Sequence, residues 1–158
     1  MCEMRGQTAV EYMILFSTAM LILGAVTVAQ MISPATDAAN DALYLSQARG
    51  AVDAIAGAID AVYSNGPGAV KSVGFQMDTS WIIGIDNRWN TVFIIVTTSR
   101  GVENVVENLR YDFENLYYAS CSSGYWTVVV EWSEAEMENL RVVGGNRQIY
   151  LNIKPRRR

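Results

Sequence analysis

The segment Arg5-Gly6-Gln7-Thr8-Ala9-Val10-Glu11-Tyr12 leads directly into an apolar run from Met13 to Ile32 that contains no charged side chain. The polar side chains within this run are Ser17, Thr18, Thr27 and Gln30. About 20 helical residues at 1.5 Å each span roughly 30 Å, the thickness of the hydrocarbon core of a bilayer. The run therefore predicts a membrane-spanning helix with one carboxylate, Glu11, at its edge.

The order of the basic, small and apolar residues indicates that this helix is kept in the mature protein. A secretory signal peptide has small residues at a cleavage point after its apolar core. Here Arg5 and Gly6 both precede the apolar core, so cleavage at Gly6 would leave the helix on the product. We therefore expect residues 1–6 to form a leader peptide.

The residues around Gly6 resemble the class III signal peptide of archaeal type IV pilin-like proteins. Gly6 matches the residue before the cut, and Gln7 matches the new amino terminus. Glu11 matches the fifth mature residue, and Tyr12 the aromatic residue that follows it. Ala9 stands where Ser is common, a small departure because both side chains are small. The resemblance covers residues 5–12 and the helix that follows.

This resemblance implies a pilin, the structural subunit of an extracellular filament with a role in surface adhesion. A prepilin peptidase would cut between Gly6 and Gln7 while the precursor lies in the cytoplasmic membrane. An assembly ATPase and its membrane platform would then draw the subunits into a helical homopolymer on the cell surface. The alternatives are a minor pilin or pseudopilin, and a membrane-anchored surface binding protein that does not polymerise.

An ionisable group in a membrane segment is energetically costly and points to a function. Glu11 has two physical interpretations. It either reaches the headgroup region, or it pairs with the α-amino group of Gln7 in a neighbouring subunit. A desolvated ion pair is stable only when both partners are present, and we expect the intersubunit pair. Gln7, Glu11 and Tyr12 are thus the predicted assembly residues. The side chains expected to pack between helices are Met13, Ile14, Phe16, Met20, Leu21, Leu23 and Val28.

The chain beyond the apolar run predicts a second, amphipathic helical stretch. Pro34, and Gly24 before it, are candidate sites of a kink or break in the helix, and Pro34 also suits the first turn of a new helix. We therefore expect an apolar helix over residues 7–33 and an amphipathic helix over 34–64 that packs on the head. Its apolar face consists of Leu45, Ala48, Val52, Ile55, Ile59 and Val62.

Residues 69–154 are rich in β-branched and aromatic side chains and predict a globular β head, followed by a basic tail at 155–158. The fold class is α+β: a long N-terminal helix and a C-terminal antiparallel sheet, as in a lollipop-shaped pilin. Val102–Asn108 is ambiguous between a short helix and an edge segment. The predicted strands are Val70–Gln76, Trp81–Asp86, Thr91–Thr98, Leu109–Phe113, Leu116–Ala119, Tyr125–Trp132, Leu140–Val143 and Gln148–Ile153.

Composition disfavours most catalytic and cofactor chemistry. The chain has no histidine, and its two cysteines are Cys2, in the leader, and Cys121. Zinc sites of Cys and His and a Ser-His-Asp triad are therefore excluded. Net charge is −4 with four of the basic residues at the C-terminus, which predicts no nucleic-acid face. We expect no enzyme, no cofactor and no metal.

Two residue groups leave a binding role open. Carboxylates between Asp112 and Glu138 suit a hard cation but match no calcium loop, so a solvated acidic face is the favoured interpretation. Aromatic residues suit a patch that binds sugars or surfaces, although strand cores commonly contain such side chains. This aromatic set consists of Trp81, Trp89, Tyr111, Tyr117, Tyr118, Tyr125, Trp126 and Trp132.

Overall fold

The computed structural model describes residues 4–113, 117–135 and 138–154, and for residues 4–8 it describes the backbone alone. Helix α1 spans Met4–Asn65. The chain divides into two compact units, Met1–Asn40 and Asp41–Arg158. The α+β class is confirmed. The described strands are β1 Val70–Met77, β2 Trp81–Asp86, β3 Thr91–Thr98, β4 Gly101–Asn108, β5 Tyr117–Cys121, β6 Gly124–Glu131, β7 Leu140–Val143 and β8 Gln148–Asn152.

Helix α1 runs without interruption through Gly24 and Pro34. Neither position breaks the helix, so the apolar part over residues 7–33 and the amphipathic part over 34–64 belong to one long helix, as the fold class predicts. A proline deprives the helix of one hydrogen-bond donor, and strong helix formers on both sides, including Ala29 before it and Ala35 after it, sustain the remaining turns. A kink at either position stays a prediction.

The helix ends at Asn65, directly before the segment Gly66-Pro67-Gly68. The backbone N–H of Gly66 donates to the carbonyl groups of Val62, at 3.1 Å, and Tyr63, at 3.3 Å. Gly66 has a φ of 85°, a left-handed conformation that glycine adopts without steric cost and that commonly closes a helix.

The second unit contains two four-stranded sheets, ordered β1-β6-β8-β7 and β4-β3-β2-β5. The described strands pair antiparallel, except that β6 and β8 run parallel. The turn at residues 144–147 joins β7 and β8 as a hairpin. A single sheet system was expected, but strand sequences do not reveal which strands pair.

One predicted strand, Leu109–Phe113, is wrong. Leu109 and Phe113 are buried, but they belong to a connecting segment in which the N–H of Leu109 donates to the carbonyl of Asn90 at 2.7 Å. The strand at this place in the chain is β4, at the edge of its sheet beside β3. The edge interpretation of Val102–Asn108 is therefore confirmed over the short helix.

The core of the second unit combines the predicted apolar helix face with side chains from both sheets. Ala48, Val52, Ile55, Ile59 and Val62 are fully or almost fully buried, and Leu45 is partly buried. These residues belong to one hydrophobic cluster with side chains of both sheets. Burial of this apolar surface, at about 25 cal/mol per Å², is the main contribution to the stability of the unit. The apolar face therefore covers the head's own core, as expected for Val52 to Val62.

Candidate assembly surface

The first unit presents an exposed apolar surface along helix α1. Every large apolar side chain from Val10 to Ile32 is between 51% and 74% exposed. The helix is long and apolar enough to cross a membrane, a property that some core helices and signal sequences share, and its most apolar window has no buried residue. The side chains predicted to pack between helices are thus exposed and available, while their packing stays a prediction. They are Met13, Ile14, Phe16, Met20, Leu21, Leu23 and Val28.

The exposed surface extends around the whole circumference of the helix. Successive helical residues are rotated by about 100°, so the five consecutive residues 12–16, all apolar or aromatic and all exposed, point in every direction. No residue from Tyr12 to Thr36 is charged. A helix that is apolar on all sides belongs in lipid or among other apolar helices.

Threonine hydroxyls within this segment are satisfied by the helix itself, a feature that sequence reasoning missed. The hydroxyl of Thr18 donates to the carbonyl of Ile14 at 2.8 Å, and that of Thr27 donates to the carbonyl of Leu23 at 2.7 Å. An unpaired hydroxyl in an apolar medium costs several kcal/mol by transfer measurements (about 4–8 into cyclohexane). These threonines therefore suit a dry environment. The sequence signal is a threonine inside an apolar helix, where the carbonyl four residues earlier is within reach.

Glu11 and Tyr12 lie exposed at the start of the apolar surface. The Glu11 carboxylate makes no ion pair with any side chain in the described part of the chain. Gln7 precedes it by four residues, about one helical turn, and both lie within α1. The side chain of Gln7 is outside the described residues, and cleavage between Gly6 and Gln7 stays a prediction.

A second carboxylate of helix α1, Asp41, lies in the second unit and is almost fully buried. The backbone N–H of Ser99 donates to Oδ1 of Asp41 at 2.8 Å, and the Ser99 hydroxyl donates to Oδ2. These two hydrogen bonds, with a smaller contribution from Arg100, lower the pKa of Asp41 although burial opposes them. Ser99 is 58 residues away, so the sequence carries no signal for this contact.

The aromatic set divides into core and surface members. Trp81, Tyr117 and Trp126 are buried, as the strand-core interpretation predicted, whereas Tyr118, Tyr125 and Trp89 are exposed. Tyr63 of the helix stacks on Tyr111, with ring centroids 3.6 Å apart, and on Trp132.

Among the described residues, no group of three histidine, cysteine or acidic side chains is placed to hold a metal ion.

Comparison with known proteins adds no relative. The chain matches no protein-family model, no curated protein and no solved structure. The resemblance of residues 5–12 to a class III signal peptide stays a prediction.

Proposed function

We propose that this protein is a pilin, the structural subunit of an extracellular type IV pilus-like filament, and that it polymerises through the apolar half of α1. The observation that carries this proposal is the helix surface from Val10 to Ile32, which is exposed, uncharged apart from Glu11 and apolar on every side. An exposed apolar surface of this extent marks a site of association with lipid or protein.

Such a helix suits two environments in succession. Before assembly it would lie in the cytoplasmic membrane, and afterwards it would be surrounded by identical helices in the filament core. Both environments are apolar, so the same side chains are sheltered throughout, and the internally bonded Thr18 and Thr27 hydroxyls are compatible with both. Contacts between unlike surfaces of identical subunits that do not close into a ring produce a filament.

Glu11 favours polymerisation over simple anchoring. A membrane anchor gains nothing from a carboxylate beside its apolar core, where charge is costly. In a filament, cleavage between Gly6 and Gln7 would create an α-amino group able to pair with Glu11 of a neighbouring subunit. The proposed partners are therefore further copies of the chain, a prepilin peptidase, and the assembly ATPase with its membrane platform.

The same helix also suits two related functions. A minor pilin or pseudopilin would enter the filament at its tip or during priming, and would be rare in the shaft. A surface binding protein with the same signal would stay in the membrane and form no filament. Abundance in sheared surface filaments, with subunits identified by mass, distinguishes the three.

The experiment that tests this function is the replacement of Glu11. We expect Glu11→Ala and Glu11→Gln to leave the protein processed and membrane-held but to reduce sheared filaments at least tenfold. The reason is that an ion pair stripped of one buried partner loses about 3–5 kcal/mol. The matched control is Asp37→Asn, which removes a carboxylate beyond the uncharged run and should leave filament yield unchanged. Normal filaments from both Glu11 variants would refute the pairing, and a wild-type protein confined to membranes would refute the filament.

A further inference from the structure

The outer face of the sheet β4-β3-β2-β5 contains an open cleft of about 570 Å³. It lies entirely within the second unit. Aromatic and aliphatic side chains alternate there with amides, a hydroxyl and one carboxylate, which is the mixture found in sites for small polar ligands. The lining residues used below are Asp86, Trp89, Phe93, Asn104 and Asn108.

Among the large apolar residues that line the cleft, Trp89 is the most exposed, at 76%. Its loop is nonetheless fixed. The backbone N–H of Arg88 donates to Oδ1 of Asp86 at 2.8 Å, and Asn90, in a left-handed conformation with a φ of 50°, donates through Nδ2 to Asp112. These contacts fix the hairpin so that the indole is exposed to solvent. Exposing an apolar ring to water is unfavourable.

Phe93 forms an apolar floor beside this indole. Its ring lies across Gly84 on the neighbouring strand β2, where an added Cβ would be 2.3 Å from Cζ of Phe93. A glycine at this position lets the ring lie close to the sheet. The cleft thus has one flat aromatic surface on the sheet and a second at its rim.

Polar groups in the cleft are free to bind a ligand. The side-chain amides of Asn104 and Asn108 make no hydrogen bond to any other residue that the structure describes, although their backbones belong to the ladder with β3. Asp86 accepts the Arg88 N–H through Oδ1, which leaves Oδ2 for a ligand. An amide offers both donors and acceptors, and a carboxylate offers acceptors.

We propose that this cleft binds a saccharide. A sugar ring has an apolar C–H face that packs on an aromatic ring, and a rim of hydroxyls that pair with amides and carboxylates. The charge of the lining selects among sugars: Asp86 is its one charged residue within the described chain, so neutral sugars are favoured over anionic ones. This inference specifies the role in surface adhesion that the resemblance to pilins implies, and it does not require polymerisation.

The test measures binding of the full chain in detergent micelles to immobilised dextran and mannan, which are neutral, and to alginate, which is anionic. We expect retention on at least one neutral polymer and none on alginate. Trp89→Ala should weaken binding about tenfold or more, as loss of an aromatic anchor does at interfaces, while Trp89→Phe should retain part of it. Asn104→Ala should weaken it less. Soluble sugar should also protect wild-type tryptophan fluorescence from iodide quenching.

The matched control is Tyr125→Ala, which removes an aromatic ring that is 60% exposed on β6 of the other sheet. It should bind as the wild type does. Binding to neither neutral polymer, equal binding by Trp89→Ala, preferential binding to alginate, or a Trp89→Ala defect in self-association alone would each overturn the proposal. Glu11→Ala separates the two functions, because it should lose filaments and keep sugar binding.

Discussion

Cys121 lies at the end of β5 and is only 1% exposed, so its thiol is inaccessible to a crosslink between subunits. Burial raises the pKa of this thiol to about 11. At pH 8 only about one thiol in a thousand is then ionised, and the thiolate is the reactive form. Cys121 therefore acts as a small apolar core residue.

We predict that Cys121 is unreactive in the folded protein. In a Cys2→Ser variant, which leaves Cys121 as the sole cysteine, iodoacetamide at pH 8 should label the native chain at least a hundredfold more slowly than the chain unfolded in guanidinium, because burial limits both access and ionisation. Labelling by mass spectrometry gives both rates. Disulfide-linked dimers of this variant on non-reducing gels of filaments would contradict the prediction.

Sequence reasoning at the residue scale succeeded where hydropathy alone sets the environment. The apolar residues of the helix face from Ala48 to Val62 are buried, as that face predicts. It gave no signal for the burial of Asp41, which depends on a hydrogen-bonding partner far along the chain. It also left Trp89 undistinguished among the aromatic residues, because exposure of a ring depends on how a hairpin is held.

At the scale of elements, helix residues 41–65 are attached to the sheets by polar contacts as well as by the core. Asp41 accepts two hydrogen bonds from Ser99, in the turn between β3 and β4. Arg49 donates to the carbonyl of Val106 at 3.0 Å. Such contacts add specificity to the packing, because an apolar face by itself tolerates small rotations and shifts of a helix.

The Asp41 contact predicts an acid-sensitive attachment of the helix. Because the folded pKa of Asp41 is lowered, its contribution to stability is complete above the unfolded pKa, about 3.9, and is lost as pH falls through the lower folded value. Urea unfolding followed by tryptophan fluorescence should show Asp41→Asn to be less stable than wild type at pH 7, and the difference should shrink below about pH 4.

The control for this experiment is Asp53→Asn, which removes an exposed carboxylate on the same helix. Its unfolding midpoint should stay close to that of wild type at both pH values. A difference between Asp41→Asn and wild type that stays constant from pH 7 to pH 3 would show that the carboxylate charge of Asp41 does not contribute.

Strand prediction succeeded for the interior strands β2 and β3 and left the edge strand β4 ambiguous. β2 and β3 have the bounds expected from their β-branched residues. β4 contains Glu103, Asn104 and Glu107, polar residues that suit an edge and weaken a strand signal. Leu109 and Phe113 gave a false signal because buried apolar side chains also occur in irregular segments. The parallel pairing of β6 and β8 had no local signal at all.

At the scale of the whole molecule, the two units have different proposed tasks. The first unit contains the apolar surface proposed for membrane residence and polymerisation, and the second has its own core and the proposed saccharide cleft. The length and hydropathy of the helix could be predicted from the sequence. The arrangement of neighbouring subunits could not, because a sequence pattern describes the surface of one chain and not its partners.

The amino terminus of the mature protein tests the filament proposal most directly. Cleavage between Gly6 and Gln7 creates the α-amino group that Glu11 requires and keeps the apolar helix on the subunit. Intact-mass and amino-terminal peptide analysis of protein from sheared surface filaments should therefore identify Gln7 as the first residue. A mature chain that begins after Ala29 would contradict the proposal, because a head without this helix has no surface through which to polymerise.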